Sequence, residues 1–363
     1  MMSLADVRAL PKIELHRHLE GAMRTETLWE ICAAHDPSRY ASIEALRAAC
    51  TVEKNSAPGF GPFLEKFNAL RFCFGGEANV ERVAAEAVED AANDGVTYLE
   101  LRFSPVSFAR RLIQGDGANA LVSVEQAEAA AEAVINGARA AASRCAIRVE
   151  FIATCARHFG LKTNKPTLDL LHRPVGMAFC GLDLAGDEAH SANAFLPAFR
   201  EWKAAGKQIT IHAGEDPNGP GAANVAEAFE RLCAYRVGHG VRAIEDPLVV
   251  KRLALSGVTL ELCPTSNIQT RAVPSAAQHP IKKLLDARIK VTINTDDPAV
   301  CGTTLSDEYI LAAEQMGLSF DDLKCCTVNA ARAAFLPEEE RNALRAQVEK
   351  AWDDYADDYI STV

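Results

Sequence analysis

Eight short apolar runs punctuate the chain, and helical patterns follow most of them. The runs are Lys12–His18, Val96–Phe103, Ile147–Thr154, Gly176–Leu184, Gln208–His212, Arg236–His239, Val258–Cys263 and Lys290–Thr295. Most are nearly continuous, as in Val258-Thr259-Leu260-Glu261-Leu262, which suits parallel strands buried on both faces. Helical periodicity fills Val80–Asn93, Val124–Ser143, Ala194–Ala205, Ala222–Cys233 and Leu248–Leu255. Strand and helix alternating eight times predict an α/β fold, a (β/α)8 barrel. An open doubly wound sheet is the alternative, and it would normally carry a glycine-rich phosphate loop after its first strand. Neither G-x-G-x-x-G nor G-x-x-x-x-G-K-[ST] occurs.

One interval breaks the rhythm. Nearly eighty residues separate the first run from the second, too many for a single crossover helix. A helix is expected over Thr25–Ala34, capped by Thr25, and another over Phe63–Phe74 after Ser56-Ala57-Pro58-Gly59-Phe60-Gly61-Pro62. Phe60, Phe63, Phe67 and Phe74 fit an extra helix packed by its apolar face, or a lid over the C-terminal mouth of the barrel. From Pro337 to Val363 the chain reads as a charged amphipathic helix (Trp352, Tyr355, Tyr359) covering the outside. With no linker, repeat or low-complexity segment, residues 1–363 read as one domain.

Composition narrows the setting. The chain is 48% hydrophobic and 24% charged, with a net charge of −11. Nucleic acid and anionic membranes both need a basic surface, so neither is expected as a partner. Eleven cysteines without a C-x-x-C pair, scattered through core segments at Cys145, Cys155, Cys180 and Cys263, point to a reducing compartment. The start lacks a signal peptide's basic and apolar regions, and no apolar run approaches membrane-spanning length. A soluble cytoplasmic protein is expected.

Candidate chemistry gathers at the C-terminal ends of the strands, the functional end of such barrels. In Ile13-Glu14-Leu15-His16-Arg17-His18-Leu19-Glu20-Gly21 the two histidines stand two apart, so an extended strand aims both at one point. Alone, they fit a metal site or a pair of ordinary histidines on a half-buried strand. His212 ends the fifth strand, ahead of Gly214-Glu215; Gly238-His239-Gly240 ends the sixth; Asn294-Thr295-Asp296-Asp297-Pro298 ends the eighth. Each alone has a structural explanation. Together, three imidazoles and a carboxylate make a plausible first shell for an ion such as zinc.

These motifs resemble the adenosine deaminase family, metal-dependent purine deaminases of the amidohydrolase group. His16-Arg17-His18-Leu19-Glu20-Gly21 is similar to the family's opening H-x-H-L-[DE]-G. Gly181-Leu182-Asp183-Leu184-Ala185-Gly186-Asp187-Glu188, His212-Ala213-Gly214-Glu215, Gly238-His239-Gly240, Cys263-Pro264-Thr265-Ser266-Asn267 and Asn294-Thr295-Asp296-Asp297-Pro298 follow in family order. The resemblance covers almost the whole chain and is weakest in the insertion and the last helix. It implies one zinc per chain, held by His16, His18, His212 and Asp296, that lowers the pKa of a water towards ~7. It makes His239 the group that orients this nucleophile, with Asp296 sharing the proton handling. Glu215 becomes the acid that protonates purine N1, with its pKa raised in a closed pocket. Asp297 and the Gly186 backbone correspond to the groups that grip N7 and N3. The H-x-E…P-C-x-x-C signature of cytidine-type deaminases is absent.

The resemblance implies a 6-aminopurine substrate and leaves the N9 substituent open. Thr265-Ser266-Asn267-Ile268-Gln269-Thr270 and Phe63-Leu64-Glu65-Lys66-Phe67 resemble the nucleoside branch. Glu20 departs from the aspartate usual in adenosine deaminases, where it meets the ribose 5′-hydroxyl; one more methylene would crowd or displace that contact. The order of preference is adenosine or 2′-deoxyadenosine, then 5′-modified adenosines such as aminodeoxyfutalosine, then adenine. A non-catalytic nucleoside-binding protein on the same fold would lack a ligand or Glu215, and none is missing. A two-metal hydrolase would need a lysine on the fourth strand, where Met177-Ala178-Phe179-Cys180-Gly181 has none.

Overall fold

The computed structural model describes residues 3–53, 59–70, 74–113 and 121–362. Eight parallel strands lie in one sheet in sequence order. They are β1 (Lys12–His18), β2 (Val96–Phe103), β3 (Arg148–Ala156), β4 (Phe179–Ala185), β5 (Gln208–Ala213), β6 (Arg236–His239), β7 (Thr259–Leu262) and β8 (Lys290–Ile293). Arg17 and Asp296 form an isolated parallel bridge between the first strand and the segment after the last. His18 N donates to Asp296 O at 2.8 Å, and Asp296 N donates to His16 O at 2.9 Å. That seam closes the sheet into the expected (β/α)8 barrel. β4 starts three residues later than its apolar run because Pro174–Ala178 winds into a 3-10 turn, which proline's fixed φ favours. β7 and β8 stop one and two residues short, so Cys263 and Thr295 belong to the loops that build the mouth.

The insertion is helical, with helices at Thr25–His35, Ile43–Cys50 and Phe60–Ala69. Thr25 is not the cap: Arg24 occupies that position without a side-chain cap bond, so Thr25 is the first helical residue. The Phe60–Ala69 helix packs by its apolar face at the barrel mouth. Phe60 and Phe63 are buried, and both face the cavity at the C-terminal mouth, as do Leu64 and Phe67. Phe74 packs in the core instead. Ser56, Ala57, Pro58 and the Tyr359 side chain, all part of the expectations above, lie outside the described residues. The tail forms a helix over Glu338–Thr362. Its Trp352 is buried and donates its indole N–H to Pro11 O at 3.0 Å, so this helix covers the N-terminal end of the barrel.

The ten described cysteines are free thiols; Cys155 and Cys263 are buried, Cys145 and Cys180 half-buried. Among the described residues, no helix is long and apolar enough to cross a membrane.

The middle of the barrel is charged. Branched aliphatic layers are the usual filling, yet Glu100, Arg102, Asp183, Arg236 and Glu261 are all completely buried. Arg102 of β2 pairs with Asp183 of β4 (3.4 Å) and Glu261 of β7 (2.8 Å). Arg236 of β6 pairs with Glu261 at 2.5 Å and with Glu100 of β2. Strands on opposite walls are thereby tied through the centre. Each charge has an opposite neighbour, as burial in a low-dielectric interior requires.

Outside the barrel, the Glu77–Asn93 and Val124–Cys145 helices approach closely at Gly137, where an added Cβ would lie 2.0 Å from the Glu81 carbonyl oxygen. Gly137→Ala should therefore destabilise the protein by about 1–3 kcal/mol through overpacking. Urea unfolding against the exposed neighbour Asn136→Ala checks this, and equal midpoints would contradict the close approach.

Candidate active site

The side chains of His16 and His18 extend from β1 into the mouth, and His212 reaches it from the end of β5. His239 and Asp296 stand just past the ordinary backbone region, with φ of +56° and +64°. Positive φ is uncommon for residues with a Cβ and tends to mark functional turns; here it swings both side chains inward. Gly238 is required by the same crowding, since a Cβ there would lie 2.9 Å from His16 Cε1.

His16 Nε2 lies 3.2 Å from Asp296 Oδ1, His18 Nε2 lies 3.4 Å from the same oxygen, and His18 Nε2 lies 3.1 Å from His212 Nε2. Zinc–ligand bonds of about 2.0–2.1 Å put tetrahedral ligand atoms roughly 3.3 Å apart. The four side chains therefore fit a metal. His16 Nε2 supports the fit, being buried with no hydrogen-bond partner among the described residues.

The interior network sets which ring nitrogen faces inward. His16 Nδ1 donates to Glu261 Oε2 at 2.7 Å, and His212 Nδ1 donates to Asp183 Oδ1 at 3.0 Å. Both rings are thus left with an unprotonated Nε2 for a ligand. Burial alone would raise the Asp183 carboxyl; His212 and Arg102 beside it hold it well below the usual range.

His239 also comes within 4.8 Å of His16, His212 and Asp296, but its hydrogen bonds distinguish it from the other rings. Ile281 N donates to His279 Nδ1 (3.2 Å), so His279 Nε2 carries the proton and donates to Asn267 Oδ1 (3.3 Å). Asn267 then presents its amide to His239 Nδ1 at 3.0 Å. The His239 proton is consequently on Nε2, 3.3 Å from Glu215 Oε2 and 3.9 Å from Asp296 Oδ2. A protonated ring nitrogen has no lone pair for a metal.

A family model described as adenosine deaminase matches residues 11–351. The chain belongs to the adenosine deaminase family. An adenosine deaminase from Erwinia tasmaniensis is 39% identical over 343 residues, covering 93% of this chain and 98% of that protein. A Burkholderia ambifaria amidohydrolase solved with bound zinc superposes with a TM-score of 0.84 at 26% identity, covering 99% of this chain and 96% of that one. The adenine deaminase of Arthrobacter aurescens gives 0.80 at 25% identity, covering 94% and 99%.

In this member of the adenosine deaminase family the carboxyl groups of the mouth are driven in opposite directions. Burial raises Glu215 well above its ordinary value, and Asp296, Glu188 and Asp216 add to the shift. Asp297 is raised likewise by burial and then by Asp296 and Glu215. Burial would raise Asp296 too, but His16, 3.2 Å away, and the other surrounding imidazoles hold it well below the usual range; Ser266 Oγ also donates to its Oδ2 at 2.7 Å. Gly186, Glu20, Asp297 and His18 line the same cavity. Glu20 Oε1 accepts the Ser104 N–H at 2.8 Å, while its Oε2 and Asp297 Oδ1 have no hydrogen-bond partner among the described residues. All the residues anticipated from the motifs are thus brought together.

Other members of the constellation were not anticipated. Glu188 accepts the backbone N–H groups of Gly214, Glu215 and Asp216 at 2.8, 2.6 and 3.1 Å, which fixes the loop that carries Glu215. Asp183, Glu261 and Asn267 were visible only as motif or strand letters, and His279 had no motif at all. Single charges inside apolar runs, as in Leu182-Asp183-Leu184 and Leu260-Glu261-Leu262, were the available signal. Burial pushes His279 down to about 3 and His239 well below its ordinary value, so both rings are neutral at pH 7. Selectively 15N-labelled histidine spectra should show both as Nε2–H tautomers at that pH, and an Nδ1-protonated His239 would break the chain of donors just described.

Proposed function

We propose that this site hydrolyses the 6-amino group of adenosine and 2′-deoxyadenosine, releasing ammonia, with zinc as the resident metal. The protein is an enzyme of the adenosine deaminase family and acts as a hydrolytic deaminase. The observation that carries the reading is the meeting of three inward-facing imidazole nitrogens and Asp296 beside the buried carboxyl group of Glu215, which burial and its acidic neighbours raise well above the ordinary value. The Erwinia relative, an adenosine deaminase, supports the substrate, and the zinc in the Burkholderia structure supports the metal.

His16, His18, His212 and Asp296 hold the zinc. When bound, zinc there acidifies a water and so supplies a nucleophile near neutral pH. His239 stands on the other side of Asp296, and its Nε2–H orients the attacking oxygen. Attack at C6 pushes electron density onto N1, where protonated Glu215 delivers its proton. Asp297, also kept neutral by burial and its anionic neighbours, donates to N7, and the Gly186 backbone meets N3. Phe60, Phe63 and Phe67 cover the mouth and keep bulk water from the reacting ring. Glu20, with one oxygen tied to Ser104 and the other turned to the cavity, meets the 5′ end of the sugar.

Ammonia release from adenosine, 2′-deoxyadenosine, adenine and 5′-substituted adenosines tests the substrate. Adenosine should be turned over fastest; a clear preference for adenine or for a 5′-substituted nucleoside would replace this reading. Glu215→Gln should retain zinc and lose about 10²–10⁴-fold in kcat, the usual scale of general acid catalysis, whereas near-normal turnover would remove Glu215 from its role. Asp183→Asn should weaken zinc binding about 10–100-fold by releasing the His212 ring, read by chelator competition with metal content measured directly.

A further inference from the structure

Arg17 lies between the two β1 histidines in the chain and points the opposite way. His16 and His18 face the barrel interior, so alternation turns Arg17 outward. It is only 5% exposed, yet its guanidinium makes no hydrogen bond or ion pair to any described residue, and its Nε is among the buried atoms without a partner. The carboxylates whose charges act on it are Glu14, Asp90 and Asp94, and each is engaged elsewhere. Glu14 accepts from the Thr295 N–H and hydroxyl at 3.2 and 2.8 Å. Asp90 takes the Arg24 fork, with contacts of 3.1 and 2.6 Å. Asp94 accepts from Ser306 N at 2.9 Å and pairs with Arg8 at 3.5 Å.

The guanidinium faces a cavity of about 400 Å³ that Arg8, Arg24, Asp90 and Asp94 also line. Among the lining side chains, three guanidiniums stand against two carboxylates. A space this size is far larger than a single bridging water needs, and a buried guanidinium without an anion is costly. Asp94 supplies a second clue, because its buried Oδ1 has the 3.5 Å Arg8 ion pair but accepts no hydrogen bond among the described residues. A ligand that satisfies both must offer oxyanion atoms to Arg17 and an O–H to Asp94.

We propose that this cavity is a second binding site, separate from the catalytic mouth, for a protonated oxyanion of the hydrogenphosphate class, with Arg17 as its main ligand. The planar guanidinium fork suits two phosphate oxygens at once. The Asp94 carboxylate accepts the phosphate hydroxyl, which discriminates against sulfate. This site does not depend on the deaminase reading, since neither the zinc ligands nor Glu215 line it.

Isothermal titration calorimetry at constant ionic strength tests it, using zinc-loaded full-length protein with a purine ligand saturating the catalytic mouth. Inorganic phosphate should bind with a stoichiometry of one, and sulfate about tenfold more weakly, the scale of one buried acceptor left facing an anion. Arg17→Met should abolish the phosphate heat. Asp94→Asn, which keeps an oxygen for Ser306 and can donate to an anion, should bring sulfate up to phosphate; this variant serves if Arg17→Met does not fold. No phosphate binding to the wild type, binding unchanged in Arg17→Met, binding lost when the purine is added, or equal affinity for sulfate would each overturn the proposal.

Discussion

Charges placed inside a barrel must be neutralised there, and much of this protein follows from how that is done. Arg102 and Arg236 each touch two acidic residues and share Glu261, so the loss of any member weakens the pairing of another. Leaving a buried charge unpaired costs about 3–5 kcal/mol, comparable to a large part of a domain's net stability. The network also ends in chemistry. Two of its carboxylates, Glu261 and Asp183, are the ones that accept the His16 and His212 Nδ1 protons. The ion pairs that fill the barrel and the orientation of the two rings thus depend on the same carboxylates.

The mouth sorts its protons by the same electrostatics. Asp296 is held well below the usual carboxylate range by the imidazoles around it, while burial and then its charge raise Glu215 and Asp297 well above theirs. One anion in the right place therefore makes two acids of its neighbours, which is how adjacent carboxyl groups come to differ in role. The donor chain from Ile281 through His279 and Asn267 does the equivalent for His239 without any charge, by fixing where a neutral ring keeps its proton.

The sequence displayed the barrel well because each strand is a compact apolar run and each mouth residue follows one directly. β1, β2 and β6 begin and end where the runs do. It displayed the mouth residues for a related reason: histidines and acids at strand ends have few structural uses in common. The central network was harder to see. Glu261 and Arg102 look like interruptions of buried strands, and only the cross-barrel geometry makes partners of residues on β2, β6 and β7. His279 lies in a loop that no periodicity marks, and its part depends on a bond to Asn267 made across a turn. Arg17 carries no signal of its own between the two histidines, since nothing in the letters tells which side of a strand is left without a counter-ion.

The Arg17–Asp296 seam has a consequence for how the protein comes into being. Glu14 and Thr295, which are hydrogen-bonded across it, stand 281 positions apart in the chain. His16 and His18 leave the ribosome well before Asp296, which lies across the seam from them. A nascent chain therefore cannot bring these side chains together until its eighth strand has emerged, and contacts of such long range form slowly. Any ion held by this cluster would favour chains whose first and last strands have met.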